Sequence, residues 1–154
     1  MKINKQLVGV AGEYFVAAEL SRRGYLAAIT LRNSDGVDIL TSNIDGSKSF
    51  AIQVKTTQDK KKWVLNKKIE DEVTKDKYFV FVTLYSDPSK YPDYIIIKGS
   101  DLGKFIKEGH QNWLKNPGKK GQQRKDTSIR EFNPSYIDQS KLMSWDGFVD
   151  LIEG

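Results

Sequence analysis

The sequence contains no cysteine and, among its 154 residues, a single histidine, His110. The missing cysteines exclude disulfide frameworks, thiolate zinc sites, iron–sulfur clusters and cysteine nucleophiles, and one histidine excludes multi-histidine metal sites. Any metal must therefore be held mainly by oxygen, which selects hard ions such as Mg²⁺ or Mn²⁺. Long apolar runs are missing too. After Lys2 and Lys5, the apolar stretch from Leu7 ends at Glu13, which is no secretory core, and nothing later approaches a membrane span. A cytoplasmic protein with no membrane partner is expected.

Neither charge sign dominates: 25 Lys and Arg face 20 Asp and Glu, a net charge of +5 that tolerates a polyanionic partner without demanding one. Seven Phe, seven Tyr and three Trp, with 38% apolar and 29% charged residues, describe a chain that folds. The length fits one domain spanning residues 1–154.

Residues 4–23 read as a helix with Asn4 as N-cap and Gly24 as stop. Leu7, Val10, Ala11, Tyr14, Ala17 and Ala18 share one face, and Gly9, Gly12, Val16 and Leu20 keep the other from being polar. Strands are expected at 25–31, 37–41 and 49–57, with turns at Arg32-Asn33-Ser34-Asp35-Gly36 and at Asn43-Ile44-Asp45-Gly46. A lysine-rich segment, 55–68, leads to the continuous apolar run 78–85, which reads as a central strand, followed by a strand at 94–98. Ser100 should cap a helix running toward Leu114, residues 115–128 read as an exposed loop, and a last short helix is expected between Pro134 and Ile152. This order predicts an α/β (α+β) fold: a central mixed sheet flanked by helices.

Three stretches carry candidate chemistry. Glu13 has Gly9, Val10, Val16, Ala17 and Leu20 as helical neighbours, so its carboxylate needs a partner, for which a lysine would suffice. Asp38 projects from the second strand on the side opposite Val37 and Ile39. In Phe50-Ala51-Ile52-Gln53-Val54-Lys55 the alternation buries Phe50, Ile52 and Val54 and sends Gln53 and Lys55 together to the other face. A hairpin between these strands brings Asp38 toward Gln53 and Lys55, and a helix across the sheet can present Glu13 to the same spot.

At these residues the sequence resembles the PD-(D/E)XK nuclease superfamily: a helix glutamate (Glu13), an aspartate on a strand after a turn (Ser34-Asp35-Gly36-Val37-Asp38), then acid-x-lysine on the partner strand (Gln53-Val54-Lys55). The resemblance covers about residues 5–98, with 99–154 a helical and basic-loop extension that carries no family signature. Order and spacing are similar to the Holliday-junction-resolvase and restriction-enzyme branches. Gln53 departs from the usual Asp or Glu, as in some homing endonucleases of the superfamily, and removes one negative charge from the site.

The resemblance implies a restriction-endonuclease-like core and a Mg²⁺- or Mn²⁺-dependent endonuclease hydrolysing DNA phosphodiesters. Glu13, Asp38, Gln53 and Lys55 would be catalytic, with Asp38, Gln53 and Glu13 as metal ligands. Lys60, Lys61, Lys62, Lys119, Lys120, Arg124 and Lys125 are candidate contacts to DNA phosphates, and His110 and Trp113 a polar–aromatic pair near them. The superfamily commonly works as dimers on duplex DNA, and one site per chain is compatible with a homodimer. Two alternatives stay open: a catalytically impaired nuclease fold that binds nucleic acid without cutting, and a protein-interaction or accessory factor.

Overall fold

The computed structural model describes residues 2–31 and 36–153. The Asn4 side chain accepts a hydrogen bond from the Gln6 amide (2.9 Å) and opens helix α1, Lys5–Ser21. Gly24, at φ +90°, turns the chain out of it. The helix packs through Val8, Gly12, Val16 and Leu20. That row is the face expected to be the secondary one, while Leu7 and Tyr14 from the expected primary face are exposed. The reason lies at Gly12, where a Cβ would stand 1.9 Å from Thr56 Oγ1. Only a residue without a side chain lets the helix backbone approach the sheet so closely, and this sets which four-residue ridge faces inward.

Three strands follow as an antiparallel meander: β1 (Leu26–Ile29), β2 (Ile39–Ser42) and β3 (Ser49–Gln58). Of the turn expected at 32–36, residues 32–35 lie outside the described residues. The chain then makes a short strand β4 (Trp63–Asn66) and a 3₁₀ turn (Lys67–Asp71) before β5 (Lys77–Leu84), which runs parallel to β3. All eight residues of β5 are buried, as the apolar run predicted for a central strand. β6 (Asp93–Lys98) pairs antiparallel with β5. Helix α2 (Gly99–Lys115), β7 (Ile129–Phe132), the edge strand β8 (Leu142–Met143) and α3 (Trp145–Glu153) complete the chain. The main sheet has the order β1-β2-β3-β5-β6-β8, and β4 pairs with β7 in a separate two-stranded ribbon. The expected mixed sheet flanked by helices is the observed architecture.

Strand parity divides the core in two. Ile52, Val54, Tyr78, Val80, Val82 and Ile96 face α1 and α3. Phe79, Phe81 and Ile97 face α2, the 3₁₀ turn and the ribbon, where Trp63, Leu65 and Phe132 fill the second core. Two expectations need correction. The lysine-rich segment contains a strand, because Trp63 and Leu65 alternate inward between solvated neighbours. Residues 129–132 form its partner strand. Helix α2 starts at Gly99, so the N-cap position falls on Lys98 and Ser100 lies inside the first turn, with no side-chain cap hydrogen bond.

Candidate active site

The register of the β2–β3 pair decides which side chains meet. Ile39 pairs with Ile52, and the Asp38 amide also reaches the Ile52 carbonyl, so two residues of the incoming chain meet one of β3, as in a β-bulge. Gln53 sits two residues from Lys55 on one face of β3, beside Phe79 and Phe81 of β5. The structure brings Gln53 and Lys55 together and seats Asp38 at the strand edge beside them.

Asp38 stands where backbone pairing stops. Its amide donates to the Ile52 carbonyl (2.9 Å), while its Oδ2 accepts from the Val54 amide (2.7 Å). A strand amide points within the plane of the sheet, so the carboxylate lies along the edge of β3 just beyond the start of β2. The N–H and C=O of one strand residue point to the same side, so the Val54 carbonyl is directed to that edge too. Gln53 donates through its amide nitrogen to the Gly36 carbonyl (3.3 Å), and its oxygen accepts from Lys55 Nζ (3.2 Å). These two partners fix which end of the amide is which.

Gln53 and Lys55 line a pocket of about 320 Å³ with Gly36, Lys68, Glu72, Lys77 and Phe79. Gly36 is held at φ +71°, and a Cβ there would be 3.1 Å from Lys77 Nζ. Lys77 is a feature of the site that the sequence reading missed. It starts β5 opposite Ala51, on the face of Gln53, and its Nζ bonds Glu72 at 2.6 Å with both side chains nearly buried. Burial pushes the Glu72 carboxyl up, but hydrogen bonds from Lys77 and Thr74 outweigh it and hold the group below its ordinary value. The sequence signal was the parity of Lys77 with Phe79, usable only once the β3–β5 register is known.

Glu13 follows Gly12 on α1, the helix that meets β3 at Thr56. Among the described residues no three aspartate, glutamate or histidine side chains converge to hold an ion. The donors at the β3 edge are nonetheless all oxygen: the Asp38 carboxylate, the Gln53 amide and the Val54 carbonyl. Mg²⁺ is commonly held by one or two carboxylates together with substrate phosphates, and this donor set fits that pattern.

The basic candidates divide. Lys61 pairs with Asp93 (2.8 Å) and Lys62 with Glu131 (3.7 Å), while the Lys60 side chain is exposed and its carbonyl accepts from Thr57 and Thr83. Lys119, Lys120 and Lys125 are exposed along the 115–128 loop. Arg124 lies 4.6 Å from the Trp113 ring, and His110 stacks on the same ring at 5.4 Å. The expected His110–Trp113 pair is therefore present. His110 Nε2 also meets Asp126 at 2.8 Å, and that bond, helped by Lys67 and Arg130 against the opposing effect of burial, pulls the Asp126 carboxyl down to about 2. Among the described residues no helix is long and apolar enough to cross a membrane.

No family model matches the chain, and no curated protein sequence does. Among solved structures, the chain is similar to Hjc, a Holliday junction resolvase of the archaeal hyperthermophile Archaeoglobus fulgidus, at 16% identity over 78% of this chain and 86% of that one, with a TM-score of 0.44.

Proposed function

We propose that this chain is a divalent-metal-dependent endonuclease that hydrolyses DNA phosphodiesters at the β2–β3 edge. The observation that carries the reading is the Asp38 carboxylate seated on the Val54 amide, Val54 lying between Gln53 and Lys55, whose side chains meet. These are the acid, oxygen ligand and lysine of the sequence pattern.

Asp38 and the Gln53 oxygen would hold Mg²⁺ or Mn²⁺, with the Val54 carbonyl as a further donor. Bound there, the ion would supply charge to the scissile phosphate and acidify the attacking water. Gln53 keeps a second lone pair on its oxygen after accepting from Lys55. Lys55 places an ammonium over the same face, where it orients the water or stabilises the charge that grows on the phosphate oxygens. Asp38 is itself oriented by the Val54 amide, so its carboxylate needs no rearrangement to act. The exposed lysines of the 115–128 loop would hold flanking phosphates, and a homodimer would place one such site on each strand of a duplex.

A second reading, binding without cutting, is favoured by one observation: the amide at Gln53 leaves Asp38 as the lone acid of the β2–β3 cluster. Calorimetry separates the two. The nuclease reading expects heat from Mn²⁺ binding in the presence of DNA and its loss in Asp38→Asn; DNA binding with no metal heat in the parent favours the second.

A further inference from the structure

A second cavity lies away from the β3 edge. About 790 Å³ opens between α2, β7 and the residues after it, a size usual for small-ligand sites. Its walls include Trp113, His110 and Asn112 from α2 and Ile129, Asn133 and Tyr136 from the facing segment. Trp113 keeps 44% of its surface exposed despite its contacts with His110 and Arg124, and Tyr136 is 77% exposed. Aromatic rings left partly open in a cleft offer surface against which a planar apolar group can stack.

Charge is arranged around this cavity in two zones. Glu108 and Glu131 lie in its wall, and the Arg130 guanidinium there is already bound to Glu70 and Asp126. The Arg130 charge is therefore already compensated within the wall. The adjoining 115–128 loop carries Lys115, Lys119, Lys120, Arg124 and Lys125 against Asp126, and Arg124 ties it to the Trp113 ring. A ligand that is uncharged and planar at one end and anionic at the other fits both zones.

The cavity also adjoins the candidate active site. Lys68 and Ile69 of the 3₁₀ turn line the Gln53–Lys55 pocket, and the next residue, Glu70, bonds Arg130 in the wall of the larger cavity.

We infer that this cavity takes an unpaired nucleobase of single-stranded or locally opened nucleic acid, stacked against Tyr136 and Trp113, with its backbone phosphates on the 115–128 loop. Asn112, Asn133 and Glu108 line the wall where the base edge would lie, and glutamate accepts from exocyclic amino groups. The inference rests on the nucleic-acid part of the proposed function but not on cleavage or metal.

Tryptophan emission tests it. Trp63 and Trp145 are buried, at 2% and 8% exposure, so quenching by a ligand in solution reports Trp113. The chain is titrated in EDTA with a single-stranded oligonucleotide and with an abasic one of the same length. The inference expects quenching by the first, on the order of tenfold tighter binding than for the second, and loss of that preference in Tyr136→Ala with abasic binding unchanged. Trp113→Phe should lose the signal but keep the preference in a filter assay. Equal binding of the two oligonucleotides, or a preference untouched by Tyr136→Ala, overturns it. Metal-dependent cutting of duplex by the same preparations is read separately, so failure of the base pocket and failure of the nuclease site are distinguishable.

Discussion

The Asp38 carboxylate accepts the Val54 amide at 2.7 Å, taking the place a backbone carbonyl would hold if β2 began earlier. One side chain therefore has two duties, closing the strand edge and supplying the acid of the candidate site. Substitutions can separate them. Asp38→Asn keeps an oxygen for the Val54 amide and should stay within about 1 kcal/mol of the parent, whereas Asp38→Ala strands that amide and should lose about 1–3 kcal/mol. Urea unfolding of the two variants checks this. Equal stability of Asn and Ala would show that the hydrogen bond contributes nothing.

Gln53→Glu restores the charge that the sequence pattern usually has. The new carboxylate would lie beside Lys55 and Lys77, which favour it, and would add a second anion to the Asp38 site. Mn²⁺ binding measured by calorimetry without DNA should tighten on the order of tenfold. Unchanged affinity would place the metal ligands elsewhere.

Lys77 and Glu72 form a pair whose side chains are only 10% and 11% exposed. Removing one partner leaves a buried charge, so Lys77→Met should cost about 3–5 kcal/mol, and the double variant Lys77→Met/Glu72→Leu should recover most of it. The pair also gives an acid limb. The Glu72 pKa is lowered on folding, so its contribution is complete above the unfolded value near 4.5 and is lost as pH falls through the folded one. Glu72→Gln should therefore flatten the stability profile below about pH 4.5, measured by thermal unfolding across that range.

Gly12→Ala sets two effects against each other. Helix propensity favours alanine by about 1 kcal/mol, but the added Cβ would fall 1.9 Å from Thr56 Oγ1. The clash should win, with a net loss of about 1–3 kcal/mol, partly recovered by Thr56→Ala. A stabilised Gly12→Ala in denaturant unfolding would mean that α1 does not sit as close to β3 as described.

What the sequence disclosed and what it hid follow from the range of the interactions. The alternation in Phe50–Lys55 and the unbroken run of β5 are local patterns, and both strands and the shared face of Gln53 and Lys55 were legible from them. The Lys77–Glu72 pair was not, because it depends on a parallel β3–β5 register formed across a crossover, which no local period encodes. The β4–β7 ribbon was hidden for a related reason: Trp63 and Leu65 bury themselves between lysines only when Phe132, distant in sequence, covers them. The packing face of α1 was misread because a glycine that decides the contact carries no hydrophobicity to count.

The most direct test of the central claim is cleavage of labelled duplex and four-way-junction DNA by the parent, Asp38→Asn and Lys55→Ala, each in Mg²⁺, Mn²⁺ and EDTA. The account predicts metal-dependent cutting by the parent on at least one substrate, none in EDTA, and a loss of about 100-fold or more in both variants while their unfolding curves stay near the parent's. Cutting by either variant as fast as by the parent, or no cutting of any substrate by the parent, would contradict it.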